Sequence, residues 1–243
     1  MQSEKPVSFE LQEPPVAIGA DISVRSFETI HDELAREHPA IANFSADEQA
    51  VIERLIHTTS CFEAVLEDIH FTPDAVGRIR RLLQAGARII LDVNMIRVGL
   101  SSFYLETYGN EAVCYVNEPF AFESAKEHGT TRSYAAVVEA IRRHRDEPMI
   151  LACGNAPTFI YAAINTLLSE GVDLSQVALL LFPVGFVNVV ESKAYGRKFA
   201  EAFDVPAIIM EGRFGGSPQV VATLHAIYKT IQDYDGETRY NGK

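Results

Sequence analysis

One histidine and a handful of loops hold the residues whose types and spacing could do chemistry. His57 ends an apolar helical run, Val51, Ile52, Leu55 and Ile56. Imidazole is the side chain best suited to moving protons near neutral pH. Arg132, in the G-T-T-R-S segment 129–133, stands beside hydroxyls and just before a helical pattern. A guanidinium in that setting suits a carboxylate or a phosphate. G-N-A-P-T at 154–158, P-V-G-F-V-N at 183–188 and E-G-R-F-G-G-S at 211–217 each follow an apolar run. Glycine lets backbone come close to a ligand, and helix starts offer free N–H groups to anions. Each feature also has a plain structural reading: a packed histidine, a solvated arginine, ordinary turns. Convergence of these loops at one sheet edge is what would separate the two.

The stretch 177–196 shows how the chain would position them. Its apolar run 177–182 fits a strand buried on both faces, broken by Pro183 and Gly185, with Asn188, Glu191 and Lys193 close behind. Further strands are expected at 87–93, with Asp92, Asn94 and Met95 at its end, and at 112–116, 149–153 and 207–210. Helices are expected from Asp21 or Ser23 to about 37, from the S-A-D-E capping box at Ser45, and from a Thr72–Pro73 cap to Gly86. The segment 60–68 continues or restarts the second of these. Others fall at 133–144, 159–168, 194–203 and 219–231. Strands separated by helical lengths imply parallel pairing, so the expected fold class is α/β: a single-domain, open, mostly parallel sheet flanked by helices. In such sheets ligands bind outside the carboxyl ends of the strands. Residues 1–20 read as an extended arm with Pro6, Pro14 and Pro15, 21–235 as the domain, and 236–243 as a tail.

Composition narrows the classes. The formal charge of −12 argues against nucleic acid, which needs clustered Lys and Arg. No apolar run reaches the ~18 residues that would span a bilayer, and residues 1–15 do not read as a signal peptide. Cys61, Cys114 and Cys153 are odd in number and widely spaced, reading as reduced thiols of a cytoplasmic protein. The histidines lack metal-ligand spacing, and no side-chain metal site is expected. There is no GxGxxG after the first strand and no GxxxxGK[ST], so nucleotide cofactors have no support.

Laid out in order, the sequence closely resembles the precorrin-8X methylmutase (cobalt-precorrin-8 methylmutase) family. The shared pieces are Arg25-Ser26-Phe27, Ile56-His57, Asp92 with Met95 and Gly99, Gly129-Thr130-Thr131-Arg132-Ser133 and Gly154-Asn155-Ala156-Pro157-Thr158. Phe182-Pro183-Val184-Gly185-Phe186-Val187 with Glu191-Ser192-Lys193 follows, then Gly212-Arg213 and Gly215-Gly216-Ser217. The resemblance implies an isomerase without an added cofactor. Its reaction would move a methyl group from C-11 to C-12 of precorrin-8X or its cobalt counterpart, giving hydrogenobyrinate or cobyrinate in cobalamin biosynthesis. It also implies a homodimer that binds the flat, polycarboxylated tetrapyrrole. The family's proton-handling histidine maps onto His57. The substrate-binding set expected from the shared pieces is Ser26, Asp92, Met95, Thr130, Thr131, Arg132, Ser133, Asn155, Pro157, Lys193 and Arg213. The chain departs from the family pattern in three places. Thr58-Thr59-Ser60-Cys61 follows the histidine where Ala-Cys-Gly-Met is usual, Val93-Asn94 stands where Ala-Arg is common, and Asn188 replaces a small residue. Hydroxyls beside the histidine could alter its pKa or tautomer. An alternative is a divergent member that binds a tetrapyrrole without isomerising it.

Overall fold

The computed structural model describes Pro15 and residues 19–234, so the expected arm and tail lie almost wholly outside the described residues. Helix α1 (Gly19–Glu37) and a short 3-10 turn at Pro39–Asn43 lead into α2 (Ala46–Thr59), α3 (Phe62–Asp68), β1 (Ile69–Phe71) and α4 (Ala75–Gln84). Then come β2 (Arg88–Leu91), α5 (Asn94–Gly99), α6 (Ser102–Tyr108), β3 (Glu111–Val113), α7 (Pro119–His128) and α8 (Arg132–His144). The chain closes with β4 (Met149–Cys153), α9 (Pro157–Ser169), β5 (Val177–Leu181), α10 (Val189–Ala202), β6 (Ala207–Met210) and α11 (Ser217–Tyr234).

The sheet has six strands in the order β1-β6-β5-β4-β2-β3. All neighbours are parallel except β1, which pairs antiparallel with β6 through Ile69↔Met210. Because side chains alternate across a strand, one strand feeds two cores. Ile150 and Ala152 of β4 join the core under α1, α2, α4 and α11, whereas Met149, Leu151 and Cys153 join the core under α8, α9 and α10. Both faces are therefore covered, which is why β4 and β5 are apolar at every position.

The capping box at Ser45 forms as the sequence implies, with Ser45 Oγ accepting from the Glu48 N–H and Glu48 accepting from the Ser45 N–H. Thr72–Pro73 does not cap α4. The Thr72 hydroxyl instead accepts from the Ala207 N–H at 2.8 Å, tying the chain to β6, and Asp74 in a left-handed conformation precedes the helix. Four of these labelled elements were not anticipated: β1, too short to show a period, the six-residue helix α5, and the helices α6 and α7 either side of β3.

Candidate active site

Parallel pairing puts the carboxyl ends of β2 to β6 along one edge of the sheet. Within that edge, β2 continues into α5 on the α11 side, and β4 continues into α9 on the opposite face. β2 is followed by its outer neighbour β3, β4 by its neighbour on the other side, β5. Diverging connections leave a crevice between the two strand ends, the topological switch point at which doubly wound sheets hold ligands. A cleft of about 530 Å³ occupies it, lined by Val93, Asn94, Val116, Asn117, Thr131, Arg132, Ser133, Asn155, Ala156, Pro157 and Thr158.

Two helices open onto this cleft. Thr131 caps α8, its Oγ1 accepting from the Tyr134 N–H at 3.1 Å, and Pro157 takes the first position of α9. The Thr131 and Thr158 hydroxyls meet at 2.6 Å and hold the two helix starts side by side. Arg132 is exposed at the mouth, stacked over the Phe122 ring at 4.6 Å and reaching Asn117 Oδ1 at 3.4 Å. A guanidinium fixed by an aromatic face beside a helix start is suited to a carboxylate.

Asp92 stands at the end of β2, next to the lining residue Val93. Its side chain is 1% exposed and accepts the N–H groups of Gly154, Asn155 and Ala156 at 3.1, 2.7 and 2.7 Å. Burial pushes its carboxyl above the ordinary range, while the three N–H donors favour the anion. Asp92 thus ties the end of β2 to the β4–α9 loop and is turned away from any ligand.

A second cavity of about 360 Å³ lies on the other side of α5, lined by Arg54, Thr58, Met95, Gly99, Pro218, Val221, Ala222 and His225. The two cavities are separated by consecutive residues, Asn94 facing one and Met95 the other. Between Arg54 and Thr58 on α2 stands His57. Its Nδ1 lies 2.8 Å from Ser26 Oγ, and its ring stacks on Phe27 at 4.8 Å. Nε2 makes no hydrogen bond among the described residues. Burial, and then the charge of Arg54, lower the His57 pKa, keeping the ring neutral at pH 7. The hydroxyls of Thr58 and Thr59 do not touch it. They bond back to the carbonyls of Arg54 and Leu55 at 2.9 and 2.8 Å. His225 is neutral as well, pushed down to about 4 by burial and Arg54, and its Nε2 accepts the Ser101 N–H at 3.0 Å.

The expected site residues therefore separate by position. Thr131, Arg132, Ser133, Asn155 and Pro157 line the first cleft, and Met95 the second. Ser26 bonds His57 instead of standing free for substrate. Thr130 is exposed but lies off both cavities, its N–H closing α7 on Ala125 O. Arg213 is exposed on the β6–α11 loop, its guanidinium 5.4 Å from the Phe186 ring. Asp92 and Lys193, expected to touch substrate, line neither cavity; both are 1% exposed, with their polar atoms bonded chiefly to backbone. Sequence reasoning did not single out Arg54, Asn117 or His225. The spacing of His225 from Val221 and Ala222, four and three residues, was the available signal that these share a helix face.

Comparison with known proteins bears on this geometry. Residues 21–230 match the family model described as precorrin-8X methylmutase. A cobalt-precorrin-8 methylmutase of Priestia megaterium is 34% identical over 206 residues, 85% of each chain. A precorrin-8X methylmutase of Pseudomonas aeruginosa is 35% identical over 210 residues, 86% of this chain and 94% of its own. The crystal structure of a precorrin-8X methylmutase from Thermus thermophilus superposes with a TM-score of 0.74 at 35% identity, covering 92% of this chain and 100% of its own.

Proposed function

The chain belongs to the precorrin-8X methylmutase family and is accordingly a methyl-shifting isomerase of cobalamin biosynthesis; from this premise we propose that His57 handles the proton of the reaction and that the crevice between β2 and β4 holds the tetrapyrrole. The observation that carries this reading is that His57, fixed to Ser26 through Nδ1, stands on the α2 stretch whose Arg54 and Thr58 line a cavity that α5 separates from the arginine-bearing cleft.

In the proposed mechanism the macrocycle lies over α5, with peripheral carboxylates on Arg132 and the α8 start. Arg213 takes a further carboxylate at the edge of β6. Proton transfer from the imidazolium form of His57 at Nε2 to the conjugated system shifts electron density so that the C-11–methyl bond breaks as the C-12–methyl bond forms, and the proton returns to Nε2 as the product forms. Methyl and bonding electrons stay within the substrate, so no co-reactant is consumed. Ser26 fixes the ring orientation of His57. Each carboxylate held by a well-formed charged hydrogen bond contributes roughly 1.5–3 kcal/mol, enough for a few cations to offset the chain's net negative charge.

The relatives carry both cobalt-precorrin-8 and precorrin-8X in their names, and the site's carboxylate-binding groups suit either. A homodimer is proposed on the apolar surface of the β5–α10 segment, where Val184, Phe186, Val187 and Val190 are exposed together. Sedimentation at micromolar concentration giving a monomer would remove that proposal. Free Cys61, Cys114 and Cys153 support a cytoplasmic place for the protein, and no helix of the described residues is long and apolar enough to cross a membrane.

Incubation of the purified protein with precorrin-8X, followed by its visible spectrum, tests the reading. Conversion with released hydrogenobyrinate is expected. A stoichiometric bound pigment that never converts would replace the isomerase with a tetrapyrrole carrier.

A further inference from the structure

Lys193 is the largest charged side chain in the interior, on the first turns of α10. An ammonium this deep is costly unless its donors are used. Its Nζ donates to the carbonyls of Phe214 at 2.8 Å, Gly212 at 3.0 Å and, at a longer 3.5 Å, Glu211. All three donors are spent, so a Schiff base or a ligand contact at Nζ is unavailable without dismantling the loop.

The carbonyls it takes bracket Arg213 on both sides. The remaining one, of Arg213 itself, accepts the Gly185 N–H at 3.4 Å, and the Glu211 N–H donates to Asp68 O at 2.7 Å. One turn along α10, Arg197 bonds Glu211 Oε1 at 2.7 Å. Gly215 then passes so close to the end of β5 that a Cβ would sit 2.3 Å from Phe182 O. The loop is thus anchored at every carbonyl from 211 to 214, leaving the Arg213 side chain as its exposed product, laid against Phe186.

We propose that Lys193 is a positioning residue, whose buried ammonium holds the 211–214 backbone and so aims Arg213 at the ligand without touching it. The functional half of this inference rests on the tetrapyrrole reading given above; the loop half does not. Two measurements separate them.

Hydrogen exchange of the ligand-free protein over 211–216 is expected to speed up at least tenfold in Lys193→Met, where a cation no longer crosslinks the carbonyls. Wild-type exchange in the folded variant overturns the clamp. Titration with hydrogenobyrinate is expected to show about tenfold weaker binding for Lys193→Met and for Arg213→Ala. The double variant should bind no more weakly than Arg213→Ala alone, because the two substitutions remove one interaction. Losses that multiply, or normal affinity in Lys193→Met, overturn the positioning role. Lys193→Gln keeps two donors and carries both measurements if the methionine variant does not fold. A wild-type protein that binds no hydrogenobyrinate sinks the tetrapyrrole reading, while exchange still decides the clamp.

Discussion

Ser26 Oγ and His57 Nδ1 lie 2.8 Å apart, joining the first helix to the last turn of the second across 31 residues of sequence. That bond leaves the histidine one nitrogen, Nε2, for chemistry and fixes the orientation of its ring. A neutral hydrogen bond of this kind is worth about 0.5–1.5 kcal/mol. Ser26→Ala should therefore lower turnover by roughly two- to tenfold, with tetrapyrrole affinity nearly unchanged. Equal losses in affinity and turnover would return Ser26 to the ligand contacts.

His57→Ala separates catalyst from packing. A proton-transferring histidine should lose about 10²- to 10⁴-fold in turnover while the folded variant still binds pigment. A packed histidine gives the reverse, lowered thermal stability with a near-normal rate per folded molecule.

The pH profile follows from the environment of the same ring. Burial and Arg54 hold its pKa below the ordinary 6.5. With imidazolium as the proton donor, turnover should rise as pH falls through a midpoint below 6.5, and His57→Ala should abolish that rise. The linkage sign agrees with a depressed base. The folded state binds fewer protons than the unfolded chain in that window, so the residue's contribution to stability is lost on acidification. A wild-type profile flat from pH 5 to 7 would remove His57 from the chemistry.

Arg132→Ala should weaken hydrogenobyrinate binding about tenfold to over a hundredfold, the cost of losing a charged hydrogen-bond partner. Its guanidinium is exposed and bonded only weakly to Asn117 at 3.4 Å, so folding should hardly change. An unaltered dissociation constant takes the first cleft out of the carboxylate account.

Ser60 closes α2 with φ 55°, a left-handed conformation that L side chains adopt at a cost of about 1–2 kcal/mol. It stands where the usual pattern after the histidine has glycine. Ser60→Gly trades that strain against glycine's greater freedom when unfolded, for a net gain of about 0.5–1 kcal/mol. The melting temperature should rise by about 1–3 °C; a fall would show that Ser60 is unstrained.

Much of this architecture was legible in the sequence because it rests on local signals. Apolar runs of strand length announced β4, β5 and β6, and Ser45 with Glu48 announced α2. What escaped depends on distant partners. Asp92 was visible at a strand end, but the N–H groups that claim it lie 62 to 64 residues away. Lys193 likewise reads as a binding cation until the carbonyls 18 to 21 residues on are seen around it. Thr72–Pro73 matched a helix cap, yet tertiary pairing with Ala207 outweighed the local preference. Asn188, an oddity by pattern, sits at φ 60° before α10, where asparagine is among the few tolerant side chains.

The staple at Asp92 also makes the cleft electrically lopsided. The N–H groups of Asn155 and Ala156, just ahead of α9, are turned onto the buried Asp92 carboxyl, and Pro157 in the first position of that helix has no N–H to offer. The start of α8, with Arg132 on it, has no such counter-ion. Two helices that look equivalent as anion receptors thus differ in strength of effect, with the stronger attraction at the start of α8. A disc-shaped polyanion entering such a field has one preferred rotation about its own axis. On the proposed reading, that asymmetry favours one orientation of the macrocycle over the others before any atom of the ligand is in contact with the protein.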